Sequence, residues 1–253
     1  MSTAISERYL RQTLLAPVGE AGQRRLLDSR VVVVGCGATG SVIAACLARA
    51  GIGRLVVADR DFVERSNLQR QVLFTDRDVD DALPKAVAAE RALHAINPEI
   101  DVQGMVTDLG PATIEALLDG TALVMDGTDN FETRYLLNDV CVKTVTPWIY
   151  SGAVGSRGMT MTVRPGETAC VRSDVPDPPP PGAAATSDTA GVLGPAVSMI
   201  GGLAAAEAIT LLVGASRPSA RRSWAALATH ALTACSGRDQ RWPYHPGDRM
   251  PAP

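Results

Sequence analysis

The sequence predicts an α/β protein: a doubly wound, mostly parallel sheet, extended by antiparallel strands and preceded by N-terminal helices. Three observations predict it. Residues 31–34 are four valines, a β-branched run suited to a strand buried on both faces, and Gly35, Gly37 and Gly40 follow before an apolar helical run. Strand-like and helix-like stretches then alternate to about residue 150, as parallel βαβ units do. From Ser151 the texture changes to alternating apolar residues with glycine punctuation, which reads as an antiparallel pair.

At 253 residues the chain fits one domain with three parts: a helical arm over 6–30, a nucleotide-binding core over 31–150 and an extension over 151–253. A hydrophobic content of 46% is ample for a core, and a net charge of −3 argues against nucleic acid or anionic lipid as partners. The N-terminus is polar and mixed in charge, with no signal peptide visible, and the five scattered cysteines form no CxxC pair. A reducing cytoplasm is the expected location. Residues 190–214 are long enough to span a membrane, but they carry Pro195, Glu207 and five glycines. They are expected to form a buried or subunit-interface helix, with no membrane partner.

In order, residues 6–28 read as one or two short helices, with Ser6 able to cap the first and Gly19 and Gly22 marking a break. Arg8 and Arg11 share a helix face, where isolated arginines are usually just solvated. The valine strand, the glycine turn, a helix over 41–50 and a strand over 55–58 ending in Asp59 make a Rossmann-like βαβ unit. Its turn lets backbone N–H groups approach phosphates, and an acid about 20 residues beyond the glycines suits a ribose. Pro84, with Lys85 beside it, suits the first turn of a helix that runs to about Ile96. A third strand covers 101–106, a helix 113–118 and a buried strand 123–125, ending in the polar cluster 126–130. A helix from Phe131 to about Lys143 and a strand at 148–150 follow. Residues 173–189 are proline-rich, then small and polar, and read as a crossover loop. A strand or two is expected around Trp224.

The chemistry lies beyond Asp59. Asp61, Asn67, Arg70, Gln71 and Lys85 follow it, and Asp129 stands at a neighbouring strand end. Cations, amide donors and a carboxylate around a phosphate loop suit nucleotidyl transfer, in which the cations neutralise charge on a triphosphate and the carboxylate holds Mg²⁺. A nucleophile that is already an anion, such as a carboxylate, needs no protein base. Asp129 has an alternative as the cap of the helix that begins near Phe131.

The segments RYLRQ (8–12), GCGATG (35–40), DRDFVERSNLQRQ (59–71), PK (84–85), DGTDN (126–130), RYLLND (134–139), PPPPG (178–182) and AGVLGP (190–195) resemble, in order, the ThiF/MoeB/E1 family. That resemblance runs from about residue 6 to 214. It implies an ATP-dependent adenylyltransferase that activates the C-terminal Gly-Gly carboxylate of a ubiquitin-like sulfur-carrier protein and releases pyrophosphate. It implies roles residue by residue. Gly35, Gly37 and Gly40 form the phosphate loop, Asp59 takes the ribose, and Asp61, Asn67 and Gln71 help bind the nucleotide. Arg70 and Lys85 stabilise charge, Asp129 holds Mg²⁺, and Arg11 reaches into the ATP site of a homodimer partner. The rivals are adenylation of a peptide or small-molecule carboxylate, a non-catalytic carrier-docking dimer, and an NAD-dependent oxidoreductase. The chain lacks an obvious hydride-site acid or base for the last.

Two departures from the family stand out. Its zinc-binding CxxC pairs read here as Cys170-Val-Arg-Ser173 and Cys235-Ser-Gly-Arg238, a poor tetrahedral site, so no structural zinc is expected; His230 is the alternative third ligand. Where many members carry a crossover-loop cysteine this chain has Ser187, a weaker nucleophile with no visible base. Adenylation without covalent transfer is the implied mechanism.

Overall fold

The computed structural model describes residues 5–179, 186–215, 222–228 and 231–232. Two short helices, α1 (Leu10–Thr13) and α2 (Gly19–Asp28), precede β1 (Arg30–Val34). Then come α3 (Ala38–Ala50), β2 (Arg54–Asp59), α4 (Asp76–Asp80), α5 (Lys85–Ile96), β3 (Asp101–Val106), α6 (Pro111–Leu118), β4 (Leu123–Asp126) and α7 (Phe131–Lys143). The extension holds β5 (Trp148–Val154), β6 (Arg157–Val163), α8 (Val171–Asp174), α9 (Ser187–Ala190), α10 (Gly194–Leu212), β7 (Arg222–Ala228) and β8 (Ala231–Leu232).

The strands form one sheet in the order β3-β2-β1-β4-β5-β6-β7-β8. The first five run parallel and the last three are added antiparallel. The doubly wound architecture follows from the valines. Val31 and Val33 enter one core layer with Ile43 and Leu47 of α3, Leu93 of α5 and Ala204 of α10. Val32 and Val34 enter the opposite layer with Ile114 of α6 and Leu137 of α7. A strand apolar on both faces demands cover on both, and crossover helices supply it. The chain leaves β1 toward β2 on one side and later returns beside it as β4, so the sheet reverses its winding between β1 and β4. Ligands of open α/β sheets bind at such a switch point, outside the strands' C-terminal ends.

Several expectations shift. Gly19 opens α2, and Gly22 lies inside that helix; a Cβ there would stand 3.2 Å from Val213, so Gly22 allows close packing instead of marking a break. Ser6 does cap the first 3-10 turn, accepting from the Arg8 N–H. Pro84 stands at the N-cap of α5, one residue before the helix. Residues 151–154 continue β5 as one strand, so the antiparallel pair is the hairpin β5–β6 turning at Gly155. The 19-residue α10 begins at Gly194; it is long and apolar enough to cross a membrane, yet it buries Ala196, Val197, Ile200 and Ala204 inside the fold. Cys235 and His230 lie outside the described residues.

Candidate functional site

A cleft of ≈ 1290 Å³ opens at the switch point. Its floor is the turn from β1 into α3, where Gly35 adopts φ +83 and Gly37 caps α3. The turn is locked against the loop after β4 by the absence of side chains. A Cβ on Gly40 would lie 2.0 Å from the Gly35 carbonyl oxygen, and one on Gly127 would lie 2.3 Å from the same atom. Gly40 thus stands behind the cleft wall and shapes it, while Gly35 and Gly37 line it. The N-terminus of α3 faces the cleft with its free N–H groups, the geometry that favours an anion.

One flank is built from β2 onward. Asp59 ends the strand, buried, and its carboxylate accepts the Cys36 N–H at 2.6 Å and the Asp61 N–H at 2.8 Å. Burial pushes the Asp59 carboxyl above its ordinary value, against the lowering pull of those two N–H groups and of Lys85. Asn67 closes a 3-10 turn, its Oδ1 accepting the Glu64 N–H at 3.2 Å. Arg70 donates from Nη1 to the Ser66 carbonyl at 2.8 Å and lines the cleft. Gln71 is buried beside it, and its Oε1 has no hydrogen bond among the described residues. Buried polar atoms are almost always satisfied, so this orphan acceptor at the cleft wall suits an N–H or O–H donor of a ligand. Lys85, 7% exposed at the start of α5, pairs through Nζ with Asp61 Oδ2 at 3.0 Å.

The other flank follows β4. Asn130 is the N-cap of α7, its side chain accepting the Thr133 N–H at 2.8 Å. The capping alternative for Asp129 is thereby overturned: its neighbour does that job. Asp129 is exposed on the cleft wall, and no hydrogen bond or ion pair engages its carboxylate among the described residues. An unpaired carboxylate fits Mg²⁺, which takes one or two carboxylates and completes its shell with phosphate oxygens and water.

Beneath Asp129 lies a buried ion pair that sequence reasoning did not single out. Arg134 donates from Nε to Asp126 Oδ2 at 3.1 Å and from Nη2 to the carbonyls of Thr128 at 2.6 Å and Ser151 at 3.1 Å. Its guanidinium lies 4.7 Å from the Tyr150 ring centroid. Burial pushes the Asp126 carboxyl up, opposed by Arg134, which stays charged. One signal was available: a carboxylate that ends the apolar run 123–125 is buried and must find a partner.

The structure therefore brings Gly35, Gly37, Asp59, Asp61, Asn67, Arg70, Gln71, Lys85 and Asp129 around one cleft, with Gly40 behind it. Arg11 is exposed and does not line the cleft of its own chain. Ser187, at the start of α9, lines it. Ser173 is turned back to cap its own turn, its Oγ accepting the Cys170 N–H at 3.2 Å and lying 3.6 Å from the Cys170 sulfur. Burial raises the Cys170 pKa, but hydrogen bonds from Ser173, the Arg172 backbone and Asn138 bring it below the ordinary thiol value. This half of the lost CxxC pair offers one thiol and does not fit a tetrahedral zinc half-site.

The sequence matches the ThiF family over residues 9–240. The sulfur carrier protein ThiS adenylyltransferase of Bacillus subtilis is 46% identical over 207 residues, spanning 82% of this chain and 61% of that protein. The protein of the same name from Escherichia coli is 41% identical over 240 residues, 90% of this chain and 93% of that one. The SAMP-activating enzyme E1 of Haloferax volcanii is 41% identical over 207 residues, 82% of this chain and 76% of the relative. Among solved structures, E. coli MccB superposes with a TM-score of 0.78 at 25% identity, covering 99% of this chain and 75% of MccB.

Proposed function

The chain belongs to the ThiF family, and from that premise we propose that it is an adenylyltransferase that activates the C-terminal Gly-Gly carboxylate of a ubiquitin-like sulfur-carrier protein. The carrier's carboxylate oxygen attacks the α-phosphorus of ATP, the bond to the β-phosphate oxygen breaks, and acyl-adenylate and pyrophosphate result. The observation that carries the reading is the convergence on one cleft of a glycine turn, Asp59, the Asn67–Gln71 turn, Lys85 and an unpaired Asp129. The names of the relatives support the carrier as substrate.

Each residue has a task in this reading. The α3 N-terminus and the glycine turn receive the triphosphate. Asp59, with lone pairs left on both oxygens, accepts from the ribose hydroxyls. Asn67 and Gln71 donate amide N–H groups to phosphate oxygens, and Asp61 holds Lys85 in reach of them. Lys85 and Arg70 stabilise negative charge as it builds on the transferring group. Asp129 would hold Mg²⁺, whose contribution is neutralisation of the phosphate charge. The cleft exceeds the ~300–1,000 Å³ typical of small-molecule sites, which supports a nucleotide and the end of a second substrate lying together.

Charge supports a homodimer. Six carboxylates and four cations line the cleft, and Lys85, Arg134 and Arg60 are each already paired with an acid. Among the described residues that leaves Arg70 as the cleft cation with no acid partner, so a further cation would help neutralise a triphosphate. Arg11, absent from its own cleft, is the cation a second copy would bring. The free thiols of Cys36, Cys46, Cys141 and Cys170 support work in a reducing cytoplasm.

The test is ATP–pyrophosphate exchange with candidate carriers ending in Gly-Gly, alongside Arg70→Ala and Asp129→Ala. Exchange that depends on the carrier tail and collapses in both variants is expected. Exchange supported equally by an unrelated peptide carboxylate would move the substrate assignment, and none with any carrier would sink the reading.

A further inference from the structure

We infer that Arg134 is a positioning residue: its grip on the Thr128 carbonyl sets where the Asp129 carboxylate stands in the cleft. The inference rests on the reading of Asp129 as the metal-holding residue. Asp129 itself has no hydrogen bond or ion pair among the described residues, so the backbone leading to it must hold its place. That backbone is held from two sides by one ion pair. Asp126 Oδ1 accepts the Thr128 N–H at 2.9 Å and the Thr128 hydroxyl at 2.7 Å, while Asp126 Oδ2 accepts Arg134 Nε. Arg134 Nη2 then bonds the Thr128 carbonyl, the peptide that joins Thr128 to Asp129, and ties it to the Ser151 carbonyl of β5.

The surroundings keep the guanidinium in that one place. It lies against the rings of Tyr150 and Phe131. A Cβ on Gly152 would come within 3.1 Å of Nη2, so the glycine leaves the space that the fork fills. Arg134 sits at the fourth position of α7, whose first turn is fixed by the Asn130 cap. Its charge is paired with Asp126, buried to 0% exposure, and is also felt by Asp129, so it is not the cation that a phosphate would draw on. What it has to offer is geometry: a planar fork that reaches a carboxylate and two carbonyls together. Lysine can match the charge but not the fork.

Calorimetric titration of the full chain with ATP, once with Mg²⁺ and once with EDTA, separates this from a merely structural role. In the wild type, Mg²⁺ is expected to tighten ATP binding by about tenfold or more. Arg134→Lys should keep its metal-free affinity within about threefold and lose most of the Mg²⁺ gain, as Asp129→Asn does. The double variant should then be no worse than Asp129→Asn alone, the non-additivity expected of two residues serving one function. If Arg134→Lys keeps the Mg²⁺ gain while Asp129→Asn loses it, the positioning role is wrong and the metal role stands. If Arg134→Lys weakens both titrations equally, Arg134 acts on the fold or on ATP directly, and the inference is overturned. If Asp129→Asn itself keeps the gain, the metal reading falls and takes the inference with it.

Discussion

Replacing Gly40 with alanine puts a Cβ 2.0 Å from the Gly35 oxygen and 3.0 Å from the Gly35 carbon, both of them backbone atoms. Ordinary contacts begin at about 3.4 Å, so the glycine turn or α3 must move by about 1.4 Å, and neither has a rotamer to give. Overpacking of this kind costs about 1–3 kcal/mol, and a collision with backbone belongs at the upper end. Alanine returns up to about 1 kcal/mol as the better helix former. The net loss is about 2 kcal/mol, or a fall in Tm of about 4–8 °C for a domain of this size. The displaced atoms are those that would receive the triphosphate, so ATP affinity should fall further than stability, by more than tenfold. Gly202→Ala is the control: inside α10 and away from the cleft, its Cβ meets nothing within 4 Å. Thermal unfolding and ATP titration of the two variants decide the matter. If Gly40→Ala matches Gly202→Ala in both, the interlocked glycines do not hold the turn.

Arg11→Ala and Asp129→Ala should each be inactive in pyrophosphate exchange, yet mixing them after subunit exchange should restore about a quarter of wild-type activity, because a mixed dimer keeps one intact site. No recovery means that Arg11 does not serve a partner's cleft. Lys85→Ala should slow adenylation by about a hundredfold or more with little change in Tm, since the Asp61 partner left behind is 57% exposed and can be solvated; a normal rate would remove Lys85 from the chemistry. Because burial raises the Asp59 pKa, ATP affinity should weaken on acidification, beginning above the ordinary carboxylate value of about 3.9. The folded form keeps a proton in that window that the unfolded chain releases, so Asp59's contribution to stability falls as pH rises through it. An ATP titration series that stays flat with pH, or that keeps its slope in Asp59→Asn, would contradict the assignment. Asn130→Ala should lower stability by about 1 kcal/mol through the lost cap, read as a Tm shift with the Asp129 side chain left in place.

What could be read in the sequence, and what could not, divides along a physical line. The valine strand, the helix from Lys85 to Ile96 and the strand from Asp101 to Val106 were legible because each is a local pattern. The approach of the site residues was legible too, since Asp59 ends one buried strand and Asp129 follows another, and parallel strands deliver their C-terminal ends to one edge. What stayed hidden depends on contacts between segments far apart in the chain. Gly22 looks like a break until Val213, nearly two hundred residues later, is packed against it. Asp129 and Asn130 are equally good caps by type, and the Thr133 N–H donated to Asn130 Oδ1 decides between them.

Gly127 shows the same limit at the centre of the cleft. Within the sequence it is one residue of a polar cluster after β4, with nothing to tie it to the glycine turn after β1. In the fold those two strands are neighbours, in register from Val31 and Leu123 to Val34 and Asp126. The residue after each strand must then share one small space, and a Cβ on Gly127 would stand 2.6 Å from the Gly40 Cα. The glycine turn after β1 and the loop that carries Asp129 are therefore one packed unit. Arg134 holds its outer end through Thr128, and the glycines hold its inner end by leaving out side chains. The cations and the carboxylate of the cleft stand on separate segments, and this contact fixes the glycine turn against the loop that carries Asp129.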